Sequence, residues 1–307
     1  MLQVKELYKT FANVIAVDHV SFDISKGQVF GLLGPNGAGK TTTINMICGL
    51  LKPNSGQILL DDEELSINRP AIRKHIGVVP QEIALYQDLN ALDNLQFWGR
   101  LYGLSGTALK SRINELLALV GLKDRATDRV KTYSGGMKRR LNLIAGILHR
   151  PKLLLLDEPT VGIDPQARHN ILDTIQAIAD EGTTLLYTTH YMDEAEDFCQ
   201  RLAILDHGRI LAQGSVGEIK SLVGENTLLR ISGRFKQGDL EALVIDSEAK
   251  IETVQEGEAV FSIPPADDPS VLVGKIIKSD ISISNLQIKE PSLDTVFIKL
   301  TGRELRD

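Results

Sequence analysis

Short runs of alternating apolar and polar residues occupy the start of the chain and predict β-strands. The alternation covers residues 2–7 and 17–24, and the turn sequence SKGQ is followed by a third apolar run, VFGLLG. Behind the glycine-rich stretch that ends at Lys40, residues 41–50 place apolar side chains at helical spacing before the turn sequence KPNSG. The predicted local order is therefore strand, glycine-rich loop and helix.

A helical pattern dominates the middle of the chain. Residues 95–120 have apolar positions at helical spacing, interrupted by the turn sequence GLSG at 103–106, and they contain Phe97 and Trp98. We interpret this region as part of a helical subdomain of about residues 83–150 that is inserted into the sheet-forming part of the chain.

Strands and helices alternate again in the next part of the chain. An apolar strand at 153–156, a helix at 168–179 and a strand at 183–189 follow one another. This alternation is typical of a parallel, doubly wound sheet covered by helices. The fold class predicted for this region is therefore α/β.

The pattern weakens at residues 215–225 and then changes character. Shorter strand-like runs, LLRIS, AVFSI and ISISNLQI, follow with two intervening helices. We therefore predict one domain over residues 1–224 and a small α+β domain over residues 225–307.

Composition and charge narrow the functional classes. The 307 residues are 43% hydrophobic and 24% charged, which is the composition of a globular protein with a sizeable core. The formal net charge of −6 gives no general attraction to nucleic acid, so we expect no nucleic-acid partner. Cys48 and Cys199 are too few and too far apart for a disulfide framework or a four-cysteine zinc site, which favours a reducing compartment.

The apolar runs of the sequence are short. The longest unbroken aliphatic run, around residues 153–156, falls far below the roughly 18 residues that a membrane span needs. The N-terminal segment MLQVKELYKT is charged where a secretory signal is apolar. The sequence alone therefore predicts a cytoplasmic protein.

The sequence GPNGAGKT matches the phosphate-binding pattern GxxxxGK[ST] between a predicted strand and a predicted helix. Its glycines let backbone amides turn toward a phosphate, and the N-terminus of the following helix points at the same place. We expect Lys40 to bridge the β- and γ-phosphates and the Thr41 hydroxyl to bind Mg²⁺. The pattern predicts nucleotide binding and leaves kinase, GTPase and motor functions open. The predicted nucleotide-binding residues here are Gly34, Pro35, Asn36, Gly37, Ala38, Gly39, Lys40, Thr41 and Thr42.

Two acidic residues follow the apolar strand in LLLLDEPT, at the edge of the sheet where ligands bind. We expect Asp157 to hold a water on Mg²⁺, and Glu158 to act as the general base for the water that attacks the γ-phosphate. A solvated acidic turn after a core strand is the structural alternative. The phosphate loop upstream favours the catalytic interpretation.

His190 ends the strand-like run TTLLYTTH, and Gln81 follows Pro80 in IGVVPQE. A histidine at a strand end is usually a surface residue, and a glutamine after proline is usually a turn residue. Because the phosphate loop is present in the same chain, we expect His190 to hydrogen-bond the γ-phosphate from the side opposite Lys40. We expect the Gln81 amide to reach Mg²⁺ or the attacking water.

Ser134, Gly135 and Gly136, in TYSGGMKRR, predict a second anion site. Ser134 is placed to cap the helix that follows, whose residues 141–148 present one apolar face. One phosphate group does not need two such cradles from one chain. We therefore expect the second cradle to serve the nucleotide of a partner subunit.

With this segment, the chain resembles the ATP-binding cassette family over about residues 1–220. The diagnostic motifs occur in the family's order: GPNGAGKT, Gln81, SGG, LLLLDEPT, GIDP at 162–165 and His190. The resemblance implies a P-loop NTPase core with an antiparallel β-subdomain and an inserted helical subdomain, followed by a small α+β C-terminal domain. It also implies ATP and Mg²⁺ as cofactors. The implied assembly is a head-to-tail dimer, with a homodimer favoured, that holds each ATP between one phosphate loop and the partner's SGG segment.

Two further residues gain a role only through the resemblance. Asp164 would belong to a loop that crosses the dimer interface, although capping a helix in the GIDP turn is an alternative and both roles are compatible. Phe11, in YKTFAN, stands where the family usually has an aromatic residue stacked on adenine. Tyrosine is commoner there, and a core phenylalanine is the alternative.

The segments LNALDNLQFWGRLYGL and EPSLDTVFIKLTGREL resemble the branch that energises bacterial drug, sodium and polysaccharide exporters. This resemblance implies separate membrane permease subunits, with the chain held at the inner face of the cell membrane. A groove near Gln81, Phe97 and Trp98 would receive a short cytoplasmic helix of the permease; the alternative places these aromatic rings in the subdomain core.

Residues 225–307 would form a regulatory or dimer-stabilising module, with a simple stabilising appendage as the alternative. The competing function is a non-transport cassette ATPase in translation or regulation.

Overall fold

The chain folds into two units in the computed structural model. The larger unit comprises Met1–Ser215, and the smaller one begins at Val216. The boundary predicted at residue 224 lies outside the described residues. No helix in the part of the chain that the structure describes is long and apolar enough to cross a bilayer. The structure describes residues 1–65, 70–222, 226–245, 247–255, 257–265, 267–279, 281–289 and 292–301.

Strands and helices of the larger unit begin and end close to the predicted positions. The helix predicted at 168–179 begins three residues earlier, because the Asp164 side chain caps it. In chain order the elements are β1 (Leu2–Phe11), β2 (Val14–Ile24), β3 (Val29–Leu33), α1 (Lys40–Ile47), β4 (Ser55–Leu60), β5 (Glu63–Glu64), α2 (Pro70–Arg73), β6 (Ile76–Val79), α3 (Ala91–Leu101), α4 (Gly106–Leu119), α5 (Gly135–Gly146), β7 (Leu153–Asp157), α6 (Pro165–Asp180), β8 (Thr184–Thr189), α7 (Met192–Phe198), β9 (Arg201–Asp206) and β10 (Arg209–Ser215), with 3₁₀ helices at Lys123–Arg125 and Val130–Thr132.

The strands of the larger unit form an antiparallel sheet and a mainly parallel one. The antiparallel sheet has the order β2-β1-β4-β5. The mainly parallel sheet has the order β10-β9-β3-β8-β7-β6, in which β10 pairs antiparallel to β9. Because β3, β7 and β8 run parallel, their carboxyl ends meet at one edge. The predicted α/β fold with an antiparallel β-subdomain is confirmed.

Strand β7 lies between β6 and β8, and all of its residues are buried. Its four consecutive leucines fit this position, because a central parallel strand is covered on both faces. The strand pairs with β6 from Ile76↔Leu153 and with β8 from Leu153↔Thr184. This double pairing fixes where Asp157 leaves the sheet.

Helices α3, α4 and α5 pack together as the predicted helical subdomain. The predicted break falls between α3 and α4, and α3 begins at Ala91 because the Asn90 side chain caps it with a 2.8 Å bond from the Asp93 amide. Gly99 permits the close approach of the helices, since a Cβ there would lie 2.3 Å from a methyl carbon of Leu109.

The smaller unit has the predicted α+β character. Its elements are α8 (Val216–Ser221), β11 (Thr227–Arg234), α9 (Gln237–Val244), β12 (Lys250–Gln255), β13 (Glu258–Ile263), α10 (Pro269–Lys278), β14 (Ser282–Lys289) and α11 (Leu293–Thr301). Its antiparallel sheet has the strand order β12-β13-β11-β14, with a helix between β11 and β12 and another between β13 and β14. Leucines of α9 and α10 pack on Leu229, Ile231 and Phe261 of this sheet. Strand β12 was not predicted, because nearly all of its residues are exposed at the sheet edge.

Candidate functional site

The glycine-rich loop joins the buried strand β3 to helix α1, as predicted. Gly34, Gly37 and Gly39 all have positive φ angles, of 157°, 83° and 107°. A Cβ at Gly34 would lie 2.1 Å from the Leu205 carbonyl oxygen, and one at Gly39 would lie 2.4 Å from the Ala16 carbonyl oxygen. Beside Gly37 the space is open. The backbone of the loop therefore requires glycine at positions 34 and 39, where a Cβ would clash, whereas the space beside Gly37 is open.

Other residues of the loop differ in exposure. Asn36 lies exposed, whereas Ala38 is buried and Pro35 is half-buried. Thr41 and Thr42 lie in the first turn of α1, with Thr41 the more exposed of the two.

Lys40, the first residue of α1, is buried with its ammonium group turned back toward the loop. Its Nζ donates to the carbonyl oxygens of Gly34 at 2.7 Å and Pro35 at 3.0 Å. The same Nζ lies 2.9 Å from Glu158 Oε1, and the exposed fraction of both side chains is 4%. A lysine ammonium group has three N–H donors, so these three acceptors use all of them.

Thr188 of β8 fixes the two acids at the end of β7. Its hydroxyl donates to Asp157 Oδ1 at 2.8 Å and accepts from the Glu158 backbone N–H at 3.0 Å. Glu158 itself has a φ of 46°, in the left-handed region that few residues other than glycine adopt. Such a conformation persists only where the surroundings hold it, and it occurs most often at functional sites.

Asp157 is 3% exposed. Its burial raises the pKa of the carboxyl group, and hydrogen bonds from Thr188 and Thr41 and the charge on Lys40 act in the opposite direction. The contact with Thr41 brings together two of the predicted Mg²⁺ ligands. A hydroxyl beside a carboxylate is a donor set of the kind that Mg²⁺ uses, with waters and phosphate oxygens completing its shell.

His190 follows β8 and lies against Glu158. Its Nδ1 is 3.2 Å from Glu158 Oε2, so one carboxylate contacts both the lysine and the histidine. The three residues predicted to be catalytic are therefore brought together at the carboxyl edge of the parallel sheet. A positive lysine, a carboxylate and an imidazole in contact can bind a phosphate and move a proton.

Gln81 lies apart from this cluster. Its side chain is exposed, and its carbonyl oxygen accepts a 2.5 Å hydrogen bond from Arg139. No hydrogen bond among the described residues joins its amide to Lys40, Asp157 or Glu158. The neighbouring Pro80 and Asp157 line one cavity of about 290 Å³, which places the Gln81 segment at the approach to the acids.

The SGG segment begins helix α5 as predicted. The Ser134 hydroxyl caps the helix by accepting a 3.3 Å hydrogen bond from the Met137 amide. Gly136 is buried, and a Cβ there would lie 2.8 Å from Ala167 Cβ. Gly135 is exposed with no atom within 4 Å of an added Cβ. Within this chain, no hydrogen bond or ion pair of the described residues links the segment to Lys40, Glu158 or His190.

Asp164 and Phe11 lie at the surface. Asp164 is exposed and caps α6 by accepting a 2.9 Å hydrogen bond from the Ala167 amide, so its predicted capping role is confirmed. Phe11 ends β1 with 48% of the residue exposed, and Lys9 Nζ lies 5.2 Å from the ring centre. The alternative of a core phenylalanine is therefore wrong.

Sequence reasoning missed two side chains that hold the loops. Thr188 is one, and its signal is a threonine pair that ends an otherwise apolar strand. Arg139 is the other: its buried guanidinium donates to the carbonyl oxygens of Gln81 and Pro80 and, at 3.4 Å, of Val161. Nothing in the run MKRR distinguishes this arginine from the exposed basic residue that such a run usually contains.

The sequence matches two known families in succession. Residues 17–161 match the family described as ABC transporter. Residues 214–301 match the family described as ATP-binding protein DrrA1-3-like, C-terminal domain.

Relatives match over the whole chain. The linearmycin resistance ATP-binding protein LnrL of Bacillus subtilis (strain 168) is 42% identical, and the alignment covers 100% of both chains. The daunorubicin/doxorubicin resistance ATP-binding protein DrrA of Streptomyces peucetius is 36% identical over 100% of this chain and 94% of that protein. The Nod factor export ATP-binding protein I of Cupriavidus metallidurans (strain ATCC 43123 / DSM 2839 / NBRC 102507 / CH34) is 38% identical over 100% of this chain and 99% of that protein.

Solved structures match the larger part of the fold. An ATP-binding subunit of an ABC transporter superposes with a TM-score of 0.67 and 32% identity, over 73% of this chain and 93% of that one. A dimeric ATP-binding cassette in a post-hydrolysis state, bound to ADP and Pi, has a TM-score of 0.65 and 26% identity, over 70% of this chain and 98% of that one.

Proposed function

The chain belongs to the ABC transporter family as an ATP-binding subunit that hydrolyses ATP, and we propose that it powers the export of a compound through a separate membrane permease. The observation that carries the catalytic part is the contact of one buried carboxylate, Glu158, with both Lys40 and His190. The transport part is supported by the relatives, whose names describe drug resistance and Nod factor export.

In the proposed reaction, the glycine-rich loop and Lys40 bind the phosphates of ATP. Glu158 takes a proton from the water whose oxygen attacks the γ-phosphorus, and the bond from that phosphorus to the oxygen of ADP breaks. His190 orients the γ-phosphate from the opposite side. General-base assistance of this kind contributes about 10²- to 10⁴-fold in rate.

Thr41, Asp157 and Gln81 are the residues that would hold Mg²⁺ in this proposal. Bound there, the ion would neutralise charge that develops on the phosphate oxygens. Thr41 and Asp157 are in contact, so they need no rearrangement relative to each other. Gln81 would have to bring its amide from the exposed edge of the cavity.

A second copy of the chain would complete each site. Gly135 is exposed, and no hydrogen bond or ion pair of the described residues joins the Ser134 segment to the catalytic cluster of its own chain. A segment that is shaped for an anion, exposed, and separate from the site of its own subunit fits the nucleotide of a partner. Asp164, also exposed, would contact the partner at the same interface. We propose a homodimer.

The permease would dock at the cavity beside Pro80. Trp98 lines it, and its Nε1 is buried with no hydrogen-bond partner among the residues that the structure describes. Phe97 is exposed and packs edge-on against Trp98 at 5.3 Å. A short helix of the permease would cover the exposed faces of these rings and bury more apolar area. The chain would then lie at the inner face of the membrane, bound through its permease.

The first experiment measures ATP turnover and oligomeric state for the wild type, for Glu158→Gln and for Glu63→Gln, an exposed control on β5. We expect the wild type and the control to hydrolyse ATP. Glu158→Gln should be inactive and should elute as a dimer with Mg²⁺-ATP by size-exclusion chromatography. Full turnover by a monomeric Glu158→Gln protein would contradict two proposals: that Glu158 is the general base, and that a second copy of the chain completes the site.

The second experiment separates export from a non-transport role. The tagged chain is purified from detergent-solubilised membranes of its host, and its ATPase activity is compared with that of the chain alone. A permease should co-purify and change the turnover, and Trp98→Asp should abolish both effects without changing the turnover of the isolated chain. Recovery only in the soluble fraction, with ribosomes or alone, would favour the translation or regulation alternative.

A further inference from the structure

A second buried cluster surrounds Glu194, in helix α7. Glu194 is 3% exposed, and its Oε2 accepts hydrogen bonds from three hydroxyl groups. These come from Tyr187 at 2.6 Å, Thr160 at 3.0 Å and Thr189 at 3.0 Å. A carboxylate with this many donors on one oxygen is held firmly, because charge-assisted hydrogen bonds are stronger than neutral ones.

Arg168 of helix α6 lies against the other oxygen of Glu194. Its Nε is 3.4 Å from Oε1, an ion-pair contact rather than a well-aligned hydrogen bond. The guanidinium carbon also lies 4.1 Å from the centre of the Tyr191 ring, in a cation–π contact. The ring of Tyr191 in turn lies 4.2 Å from the ring of His190.

The cluster connects the segments that carry the proposed chemistry. Thr160 lies two residues after Glu158, and Thr189 immediately precedes His190. Arg168 lies in the first turns of the helix that begins after Asp164. Strand β7 ends at Asp157, before Thr160, whereas β8 ends at Thr189 and contributes both Tyr187 and Thr189 to the cluster.

We propose that Glu194 and Arg168 are positioning residues that hold the Glu158 segment, the His190 segment and the start of α6 in one arrangement for hydrolysis. Among the described residues, no hydrogen bond or ion pair joins either side chain to Lys40, Glu158 or His190, so in this proposal they act through Thr160, Thr189 and Tyr191. This inference rests on the proposed roles of Glu158 and His190. A displacement of about 1 Å at reacting groups can lower the rate about 100-fold. A cluster that fixes the positions of these groups can therefore affect the rate strongly without touching the substrate.

The test compares kcat with the affinity for ATP. Glu194→Gln keeps the shape of the side chain but removes its charge, and Arg168→Gln removes the partner charge from a residue that is partly exposed. Glu115→Gln is the matched control, because Glu115 pairs with Arg112 on the surface of α4, away from the cluster. Wild-type protein, Glu158→Gln and His190→Ala are measured alongside.

We expect Glu194→Gln and Arg168→Gln to lower kcat by about 10- to 100-fold. The dissociation constant for ATP, measured with EDTA, should change by less than about threefold, because no hydrogen bond or ion pair of the described residues joins Lys40 to Glu194 or Arg168. The double variant should be no slower than the slower single variant, since both act on one cluster. Arg168→Lys, which keeps the charge, should recover part of the rate.

Several results would overturn the inference. An unchanged kcat in a folded Arg168→Gln protein would do so, and so would a loss of ATP affinity equal to the loss of kcat. A lower melting temperature with full kcat at 25 °C would show a structural role only. If Glu194→Gln does not fold, Arg168→Gln still decides the matter. If Glu158→Gln and His190→Ala retain turnover, the proposed catalytic roles fail instead.

Discussion

Lys40 Nζ lies 2.9 Å from Glu158 Oε1, and the pair is shielded almost completely from solvent. The other two donors of the ammonium group are used by carbonyl oxygens of the phosphate loop. A phosphate that binds to Lys40 must therefore replace one of three acceptors. The carboxylate is the acceptor that does not belong to the loop backbone, so the same event that neutralises the phosphate would free Glu158 to act as a base.

The first prediction concerns this competition. Glu158→Gln removes a negative charge that competes with phosphate for Lys40, so we expect ATP to bind several-fold more tightly while kcat falls by about 10²- to 10⁴-fold. Equilibrium binding of a fluorescent ATP analogue and steady-state hydrolysis measure the two effects. Weaker binding in the variant would mean that the carboxylate helps to hold the nucleotide.

The second prediction concerns Asp157, whose carboxylate loses hydration in the folded protein. Asp157→Asn keeps an oxygen acceptor for Thr188 and removes the buried charge. We expect a higher melting temperature at neutral pH together with a loss of Mg²⁺-dependent hydrolysis.

The pH dependence of this gain follows from the direction of the pKa shift. Burial raises the pKa of Asp157 above its ordinary value of 3.8, so the folded state binds this proton more tightly than the unfolded state. Above the pKa of Asp157 in the folded protein, the buried charge lowers the free energy of unfolding by its full amount. This destabilisation disappears as the pH falls to the ordinary pKa of 3.8. The gain in melting temperature over wild type should therefore shrink toward pH 3.8. A gain that grew on acidification would contradict the shift.

The third prediction separates two neighbouring glycines. Gly136→Ala should destabilise the fold by about 1–3 kcal/mol, because its Cβ would press against Ala167. Gly135→Ala has open space and should fold as well as wild type or better. We nevertheless expect Gly135→Ala to lose turnover, because the partner's nucleotide would approach this backbone. Chemical denaturation and hydrolysis assays distinguish the two, and full activity of Gly135→Ala would count against the composite site.

The fourth prediction uses the two cysteines. Burial raises the pKa of both thiols, and Cys199 is the more deeply buried. Since the thiolate is the reactive form, native protein at pH 8 should react slowly with Ellman's reagent, with Cys48 ahead of Cys199. Two thiols per chain should appear at once in denaturant. A fast release of two equivalents from native protein would contradict the burial.

Motif residues were predictable from sequence because their local signals are strong. GPNGAGKT combines a required backbone shape with a required charge, and four leucines before Asp157 fit few positions other than a central strand. Ser134 and Asp164 could be placed at helix starts because a capping side chain acts on amides two or three residues away. Local spacing was sufficient in each of these cases.

Other features depend on contacts between distant segments, which spacing does not reveal. Glu194 is one acid in the run DEAED, and only the folded chain brings Thr160 and Tyr187 to its carboxylate. Arg139 is one base in KRR, and its carbonyl partners lie far away in sequence. The edge strand β12 lacks the apolar alternation of a buried strand, so its pattern resembled a loop.

The close approach of Gly136 to Ala167 also restricts the order in which these two positions can change during evolution. Alanine at 136 should cost about 1–3 kcal/mol while 167 carries a Cβ, since the two carbons would be 2.8 Å apart before the helices shift. If residue 167 first becomes glycine, the clash is removed, at a helix-propensity cost of about 1 kcal/mol. Exchanging the small residue between the two helices is therefore less costly when residue 167 changes first than when residue 136 does, so the order of the two substitutions matters.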